Sequence, residues 1–469
     1  MDELSTFIHC HDKSFIELIQ ATEVGVDWMP ILYFLIIWAI DLIIPLTQTV
    51  MRIPNLVFIC ISFILILNLL YKAFGNNASL TGTVTVFTHS LLIPFILCEA
   101  RPYALYLMLS CWVAYELQRA FTSNLEKKLH VRLLIANFLC PASHYFGGIY
   151  CALSLVASLL LNSSKDRKSK SVIYSSILGW AVFFLCCHET LSRQMEETIT
   201  TISNEPSLYE LFNIYGTQVY FPILFVTALA CNNTRAFKKQ KSLHNYFEKN
   251  SNFILLLSAS WIAIPTILFV LGKITGSNYM QLRYYSPNLL AYGTFLAFLC
   301  SIIMKDKVPR KLMSLAYVSF CLILLTLNTR SLASSYKDES PENALAFLDK
   351  TDLKVATFSM RVAFHITHYH TNAVQFLVAD QRYSSYMKKF SKHLNCIAIE
   401  SIDNLIILPD NSTLKSESKF IYIHGPMGSP INLQQIDDFA LRNGYEISKR
   451  KTPESSEASH AFYFEKITD

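Results

Sequence analysis

Cys98-Glu99-Ala100-Arg101-Pro102-Tyr103 places a carboxylate and a guanidinium two residues apart between two apolar runs, 81–98 and 102–119. A charge at membrane depth costs roughly 2.5–3.5 kcal/mol even on lenient insertion scales, so such residues are kept for pairing or for handling something polar. Two similar junctions follow: Ser143-His144-Tyr145, and Arg283-Tyr284 ahead of a later apolar run. Arginine offers a planar fork matched to phosphate oxygens, and histidine can bind phosphate or a metal. Each group also has a plainer reading. Glu99 and Arg101 can pair at a hairpin tip, His144 can be a hydrogen-bonded structural residue, and Arg283 can snorkel to the headgroups. Tyr103 can belong to an interfacial aromatic belt or stack on a sugar. Near the N-terminus, Asp2-Glu3 and Asp27 supply carboxylates, with solvated terminal charge and a helix N-cap as their ordinary roles.

The elements that must position these residues are membrane spans. Of the 469 residues 52% are hydrophobic and only 16% charged, with positive mean hydropathy, the composition of a polytopic membrane protein. Apolar stretches near the length that crosses ~30 Å of hydrocarbon fall at 53–71, 81–98, 102–119, 130–143, 146–162, 172–188, 218–231, 252–271, 288–304 and 312–328. Lys and Arg concentrate in alternate connections, at Lys72, 119–132, 165–170, 235–249 and 305–311. The positive-inside rule makes these cytoplasmic. Glu99-Arg101, His144 and Arg283-Tyr284 then share the outer face with everything beyond about residue 330. The net charge of +5 sits in the cytoplasmic loops and calls for no nucleic-acid partner.

The stretch 30–47 is apolar but broken by Asp41 and Pro45. It either spans or lies along the interface, and we divide the chain with it as an interfacial helix: 1–52 a first outer loop, 53–330 the transmembrane domain of about ten spans, 331–469 an outer domain. In that last part apolar runs shorten to strand length at Val355–Met360, Ala373–Ala379, Cys396–Ile399, Phe420–His424 and Ala461–Glu465, with helical patterns at 341–349 and 432–443. This reads as a small α/β domain. Its His365, His368 and His370 match no standard zinc spacing.

Five motifs occur in one order: Pro30-Ile31-Leu32-Tyr33 after Gly25-Val26-Asp27, Arg52-Ile53-Pro54, Glu99-Ala100-Arg101-Pro102-Tyr103, Ser143-His144-Tyr145-Phe146-Gly147 and Arg283-Tyr284-Tyr285-Ser286-Pro287. Over about residues 1–330 the chain resembles bacterial membrane glycosyltransferases of the GT-C type, akin to rhizobial lipopolysaccharide-core transferases, aminoarabinose transferases and protein O-mannosyltransferases. The resemblance implies an α-helical GT-C-like bundle with a C-terminal extracytoplasmic α/β domain in the plasma (inner) membrane. It implies a polyprenyl-phosphate sugar donor and a glycan, lipid or protein acceptor. The family's Asp-Glu pair follows a first span, and Asp2-Glu3 looks like that pair, so the sequence is expected to begin late, without that helix.

Transfer from such a donor needs a base within hydrogen-bond reach of the acceptor hydroxyl. Asp2 is the candidate, with Glu3 as partner or metal ligand and Asp27 in reserve. Arg101, Arg283, Tyr284, His144, Glu99 and Tyr103 are candidates at the donor phosphate, where cations or a divalent metal would steady the leaving group. One base acting directly on the acceptor predicts inversion. Two other classes stay open: a lipid or polysaccharide transporter or polymerase, for which charges along a path or internal repeats would speak, and a degenerate scaffold. The chain shows no repeat, and its Met29-Pro30-Ile31 departs from the family's His-Pro-Pro.

Overall fold

A computed structural model of the chain describes residues 6–7, 9–11, 13–23, 29–90, 92–122, 127–161, 167–201, 205–215, 249–303, 441 and six strands between 354 and 466. The chain divides into two compact units, Cys10–Thr329 and Met1–His9 with Arg330–Asp469.

The first unit is helical. Its helices are α1 (Phe15–Glu23), α2 (Leu32–Asp41), α3 (Gln48–Phe74), α4 (Asn76–His89), α5 (Leu92–Cys98), α6 (Tyr103–Thr122), α7 (Lys127–Ser143), α8 (Gly147–Leu161), α9 (Arg167–Thr201), α10 (Lys249–Ile262), α11 (Ile264–Thr275) and α12 (Asn288–Ile303), with a 3₁₀ turn at Leu282–Tyr285 before α12. Among the described residues, Thr49–Phe74, Lys170–Ser192 and Ser251–Thr275 are each long and apolar enough to cross a membrane, and α4 with α5 makes a fourth if that bent pair is one span. The first of these starts cleanly because the Thr47 side chain accepts from the Val50 N–H at 3.2 Å. It ends at Gly75, whose φ of 82° suits glycine.

Three sequence expectations change shape. The apolar run 81–98 is two helices meeting at 60°; Ser90 leaves the helical region and its hydroxyl accepts from the Leu92 N–H at 3.2 Å. The run 172–188 continues as helix to Thr201, past the charges at which a span would end. Helix α2 has only 10 residues, about 15 Å at ~1.5 Å per residue, half the hydrocarbon thickness. Its end is fixed by Asp41, which accepts from the Leu46 N–H at 3.3 Å and faces His11 Nδ1 at 3.2 Å.

Helix α3 packs along α6 and α4, α4 against α12, α7 against α6 and α9, and α10 against α12 and α8. Small residues allow the closest of these. A Cβ added at Gly82 in α4 would lie 2.5 Å from the Gly293 carbonyl oxygen and 2.9 Å from Ala297 Cβ in α12, the small-residue contact by which membrane helices gain dispersion energy. We expect Gly82→Val to force these helices apart at a cost of about 1–3 kcal/mol. Thermal melting of the purified protein in detergent checks this, and an unchanged midpoint would sink it.

Within the second unit, β1 (Lys354–Thr357), β2 (Gln375–Val378), β3 (Leu405–Leu408), β4 (Lys419–His424), β5 (Tyr445–Lys451) and β6 (His460–Lys466) form one sheet in the order β3-β2-β1-β4-β6-β5. The β3-β2-β1-β4 part is parallel, and β6 runs antiparallel to both β4 and β5. Parallel neighbours cannot be joined by tight hairpins, which accounts for the long connections there. Strands β3 and β5 were not foreseen; the expected strand at Cys396–Ile399 and helix at 341–349 lie outside the described residues, as does all but Leu441 of the helix expected at 432–443. The spans expected at 218–231 and 312–328 also lie outside them.

Candidate functional site

The junction from α5 to α6 is a tight reversal. The Glu99 N–H donates to the Phe95 carbonyl at 3.1 Å and the Arg101 N–H to the Glu99 carbonyl at 2.8 Å. Asn55 in α3, fully buried, clamps it: Nδ2 donates to the carbonyls of Ile96 (3.1 Å) and Glu99. The Asn55 Oδ1 in turn accepts from the Tyr33 hydroxyl of α2 at 3.2 Å. A buried amide with three protein partners fixes backbone more firmly than any single bond would.

This reversal buries Glu99 and Arg101, each 8% exposed. The 3₁₀ turn brings Arg283 to them. One guanidinium nitrogen stands 3.6 Å from Glu99 Oε2, and the guanidinium carbon lies 5.4 Å from the centre of the Tyr103 ring. At 3.6 Å the pair attracts without forming a short hydrogen bond, while the ring face adds a cation–π contact. The Ser286 hydroxyl donates to the Tyr103 carbonyl at 3.3 Å and so anchors the turn on α6.

His144 closes the group from the α7–α8 turn. That turn is tight because Gly147 lies against Cys140: a Cβ there would sit 2.5 Å from the Cys140 carbonyl oxygen. The His144 ring stacks on Tyr106 at 4.8 Å and 17°, and touches Tyr284 at 5.2 Å, Phe146 at 5.4 Å and Tyr103 at 5.8 Å. Its Nδ1 accepts from the Phe146 N–H at 3.3 Å, which puts the proton of a neutral ring on Nε2. Burial, with the Arg283 cation adding to it, pushes the imidazole pKa down to about 3. His144 therefore presents one neutral N–H donor, and Nε2 is buried with no hydrogen-bond partner among the described residues.

Six of the residues singled out from sequence thus share one end of the bundle: Glu99, Arg101, Tyr103, His144, Arg283 and Tyr284. Asp2, Glu3 and Asp27 lie outside the described residues. Among the described residues no group of three or more His, Cys, Asp or Glu could hold a metal ion. Three neighbours were not picked out as site residues. Asn55 could have been noticed as a polar residue just after Arg52-Ile53-Pro54 in an otherwise apolar span. Tyr106 lies one helical turn from Tyr103, on the same face. Phe146 belongs to the His144 motif itself.

Among the described residues, the arrangement brings together two guanidinium groups, one neutral N–H donor and the Glu99 carboxylate, walled by aromatic rings. Such groups can engage an anion, with flat faces next to it.

No protein-family model matches the sequence, and no curated protein sequence matches it. Among solved structures, the chain is similar to ArnT from Cupriavidus metallidurans bound to undecaprenyl phosphate, with a TM-score of 0.52 at 10% identity over 99% of this chain and 95% of that one. The same protein in its apo state aligns with a TM-score of 0.46 at 8% identity, over 98% and 95% of the two chains. The first likeness shows the fold: a polytopic GT-C-type membrane bundle followed by a small α/β domain.

Proposed function

We propose that this chain is an integral membrane glycosyltransferase that takes its sugar from a polyprenyl-phosphate carrier and passes it, with inversion, to a hydroxyl of a cell-envelope glycan, lipid or protein. The carrying observation is the cluster of buried Arg101, half-buried Arg283 and the buried His144 Nε2–H at one end of a bundle with this fold. The solved structure of that fold which holds undecaprenyl phosphate supports the donor class. The order of the five motifs supports a place near the rhizobial lipopolysaccharide-core transferases.

In this reading Arg283 and Arg101 hold the donor phosphate, and His144 donates Nε2–H to one of its oxygens. These donors stabilise the charge that grows on phosphate as the glycosidic bond breaks. Tyr103, Tyr284 and Phe146 give the sugar an apolar face and keep water from the reacting carbon. Asp2 takes the acceptor proton, with Glu3 beside it and Asp27 as the alternative base. The protein lies in the plasma (inner) membrane, with its C-terminal domain on the extracytoplasmic side shaping the acceptor entrance.

The test is transfer of radiolabelled sugar from a panel of polyprenyl-phosphate donors in membranes containing the protein, with Asp2→Asn and Asp27→Asn compared. Transfer abolished by Asp2→Asn supports the full scheme. A full rate in Asp2→Asn moves the base to Asp27. Absence of transfer from every donor, with carrier movement across the bilayer instead, would establish the transporter class.

A further inference from the structure

Two of the five ordered motifs contribute no residue to the donor cluster: Pro30-Ile31-Leu32-Tyr33 and Arg52-Ile53-Pro54. The fold brings them together. Tyr33 closes the first, Asn55 directly follows the second, and the Tyr33 hydroxyl meets Asn55 Oδ1 at 3.2 Å. Both side chains are fully buried. A third motif joins at the same amide, because Asn55 Nδ2 reaches the carbonyls of Ile96 at 3.1 Å and of Glu99.

The chemistry of these atoms leaves one arrangement. A carbonyl only accepts, so the two hydrogens of Nδ2 go to Ile96 and Glu99, Oδ1 turns to Tyr33, and the Tyr33 hydroxyl donates. Ile96 lies in the last turn of α5, where carbonyls have no donor within the helix. Asn55 therefore caps α5 from another helix. The Glu99 carbonyl, just beyond, also accepts from the Arg101 N–H at 2.8 Å. One amide thus pins the backbone from which Glu99 and Arg101 project, and Glu99 is the group that Arg283 faces at 3.6 Å.

Asn55 is itself presented by a helix held at both ends. Helices α3 and α6 run side by side in the same direction: Asn55 ties the start of α3 to the backbone just before α6, and Gln118 Nε2 near the end of α6 donates to the Leu69 carbonyl near the end of α3 at 3.3 Å. Helix α2 is held differently. With 10 residues it is too short to cross the membrane, and its Trp38 Nε1–H donates to the Lys13 carbonyl at 2.8 Å, so its placement follows the N-terminal segment.

We propose that Asn55 is a positioning residue of the donor site and that Tyr33 orients it, so that the seating of α2 against α3 sets donor affinity. This rests on the reading in which Arg101 and Arg283 hold the donor phosphate. Without the Tyr33 hydroxyl the Asn55 amide turns about its broad χ2 torsion, and the Glu99 reversal loosens. Misplacing a binding group by about 1 Å costs up to about a hundredfold.

The full chain in detergent is titrated with undecaprenyl phosphate, binding is read by native mass spectrometry, and backbone hydrogen exchange is followed over residues 95–101. Asn55→Leu should weaken binding about tenfold and speed exchange at Glu99 and Arg101. Tyr33→Phe, the gentler change, should weaken binding about threefold, the worth of one hydrogen bond. The double variant should match Asn55→Leu alone, since Tyr33 acts through Asn55. Asn137→Leu deletes an equally buried amide in α7, bonded to the Leu133 carbonyl and the Ser176 hydroxyl; it should lower the melting midpoint and bind like wild type. Wild-type affinity in Asn55→Leu, or losses that add in the double variant, overturns the proposal and leaves the donor reading standing. A wild-type chain that binds no undecaprenyl phosphate overturns the donor reading, and donor positioning with it.

Discussion

Arg283→Gln is expected to lower kcat/KM for transfer from a polyprenyl-phosphate sugar by about a hundredfold, the usual cost of deleting a preorganised donor to developing charge, ~2.7 kcal/mol. The substitution keeps much of the length and removes the cation that stands 3.6 Å from Glu99 and over the Tyr103 ring. It also leaves a buried carboxylate without that partner, which by itself costs stability. Glu99→Gln together with Arg283→Gln separates the two effects. The double variant should regain the wild-type melting midpoint while remaining about a hundredfold slow. Arg283→Lys should recover part of the rate, because charge returns without the planar fork. A rate within threefold of wild type in Arg283→Gln removes this residue from the donor site.

The second large effect is at His144. His144→Phe keeps a flat ring against Tyr106 and deletes the Nε2–H, and we expect transfer to fall by tenfold to a hundredfold. The same residue should leave a mark on stability against pH. In the folded chain its pKa lies at about 3, below its ordinary value of 6.5, so between these values the unfolded chain binds a proton that the folded one excludes. The contribution of the neutral ring is complete above about pH 6.5. It is lost progressively as pH falls towards 3, at up to ~1.4 kcal/mol per pH unit. His144→Phe has no such slope. The wild-type melting midpoint should therefore fall relative to that of His144→Phe as pH drops from 7.5 through 6 to 5; parallel curves would show that His144 titrates normally.

The sequence showed the junctions and not the joinery. Glu99, Arg101, His144 and Arg283 stood out because charges and a histidine at the ends of apolar runs are costly unless used, a rule that operates on composition and position alone. What composition cannot carry is backbone direction. The run 81–98 is uniformly apolar, so nothing in its hydropathy marks Ser90 as the place where the chain leaves the helix. Helix α9 runs to Thr201 through Glu189, Arg193, Glu196 and Glu197, since a helix outlasts the membrane that its apolar half crosses. Asn55 is conspicuous as a polar residue in an apolar span, but its role is hidden for a related reason: its partners, the carbonyls of Ile96 and Glu99, lie more than forty residues away. The α/β domain was legible as a class from its strand-length runs. Strands β3 and β5 were missed, and β5, with Glu446, Lys449, Arg450 and Lys451, reads as a charged surface until its pairing with β6 is seen.

The pairing of α3 with α6 bears on how the bundle can move. Asn55 holds one end and Gln118 the other, so the two helices act as a strut rather than as independent rods. A slip of one helical turn, about 5.4 Å, would break both ties at once and also expose a buried amide at each end. Piston motion between them is thus costly. The segment beyond the Ser90 bend belongs to the same frame, because the Asn55 amide also holds the Ile96 carbonyl of α5.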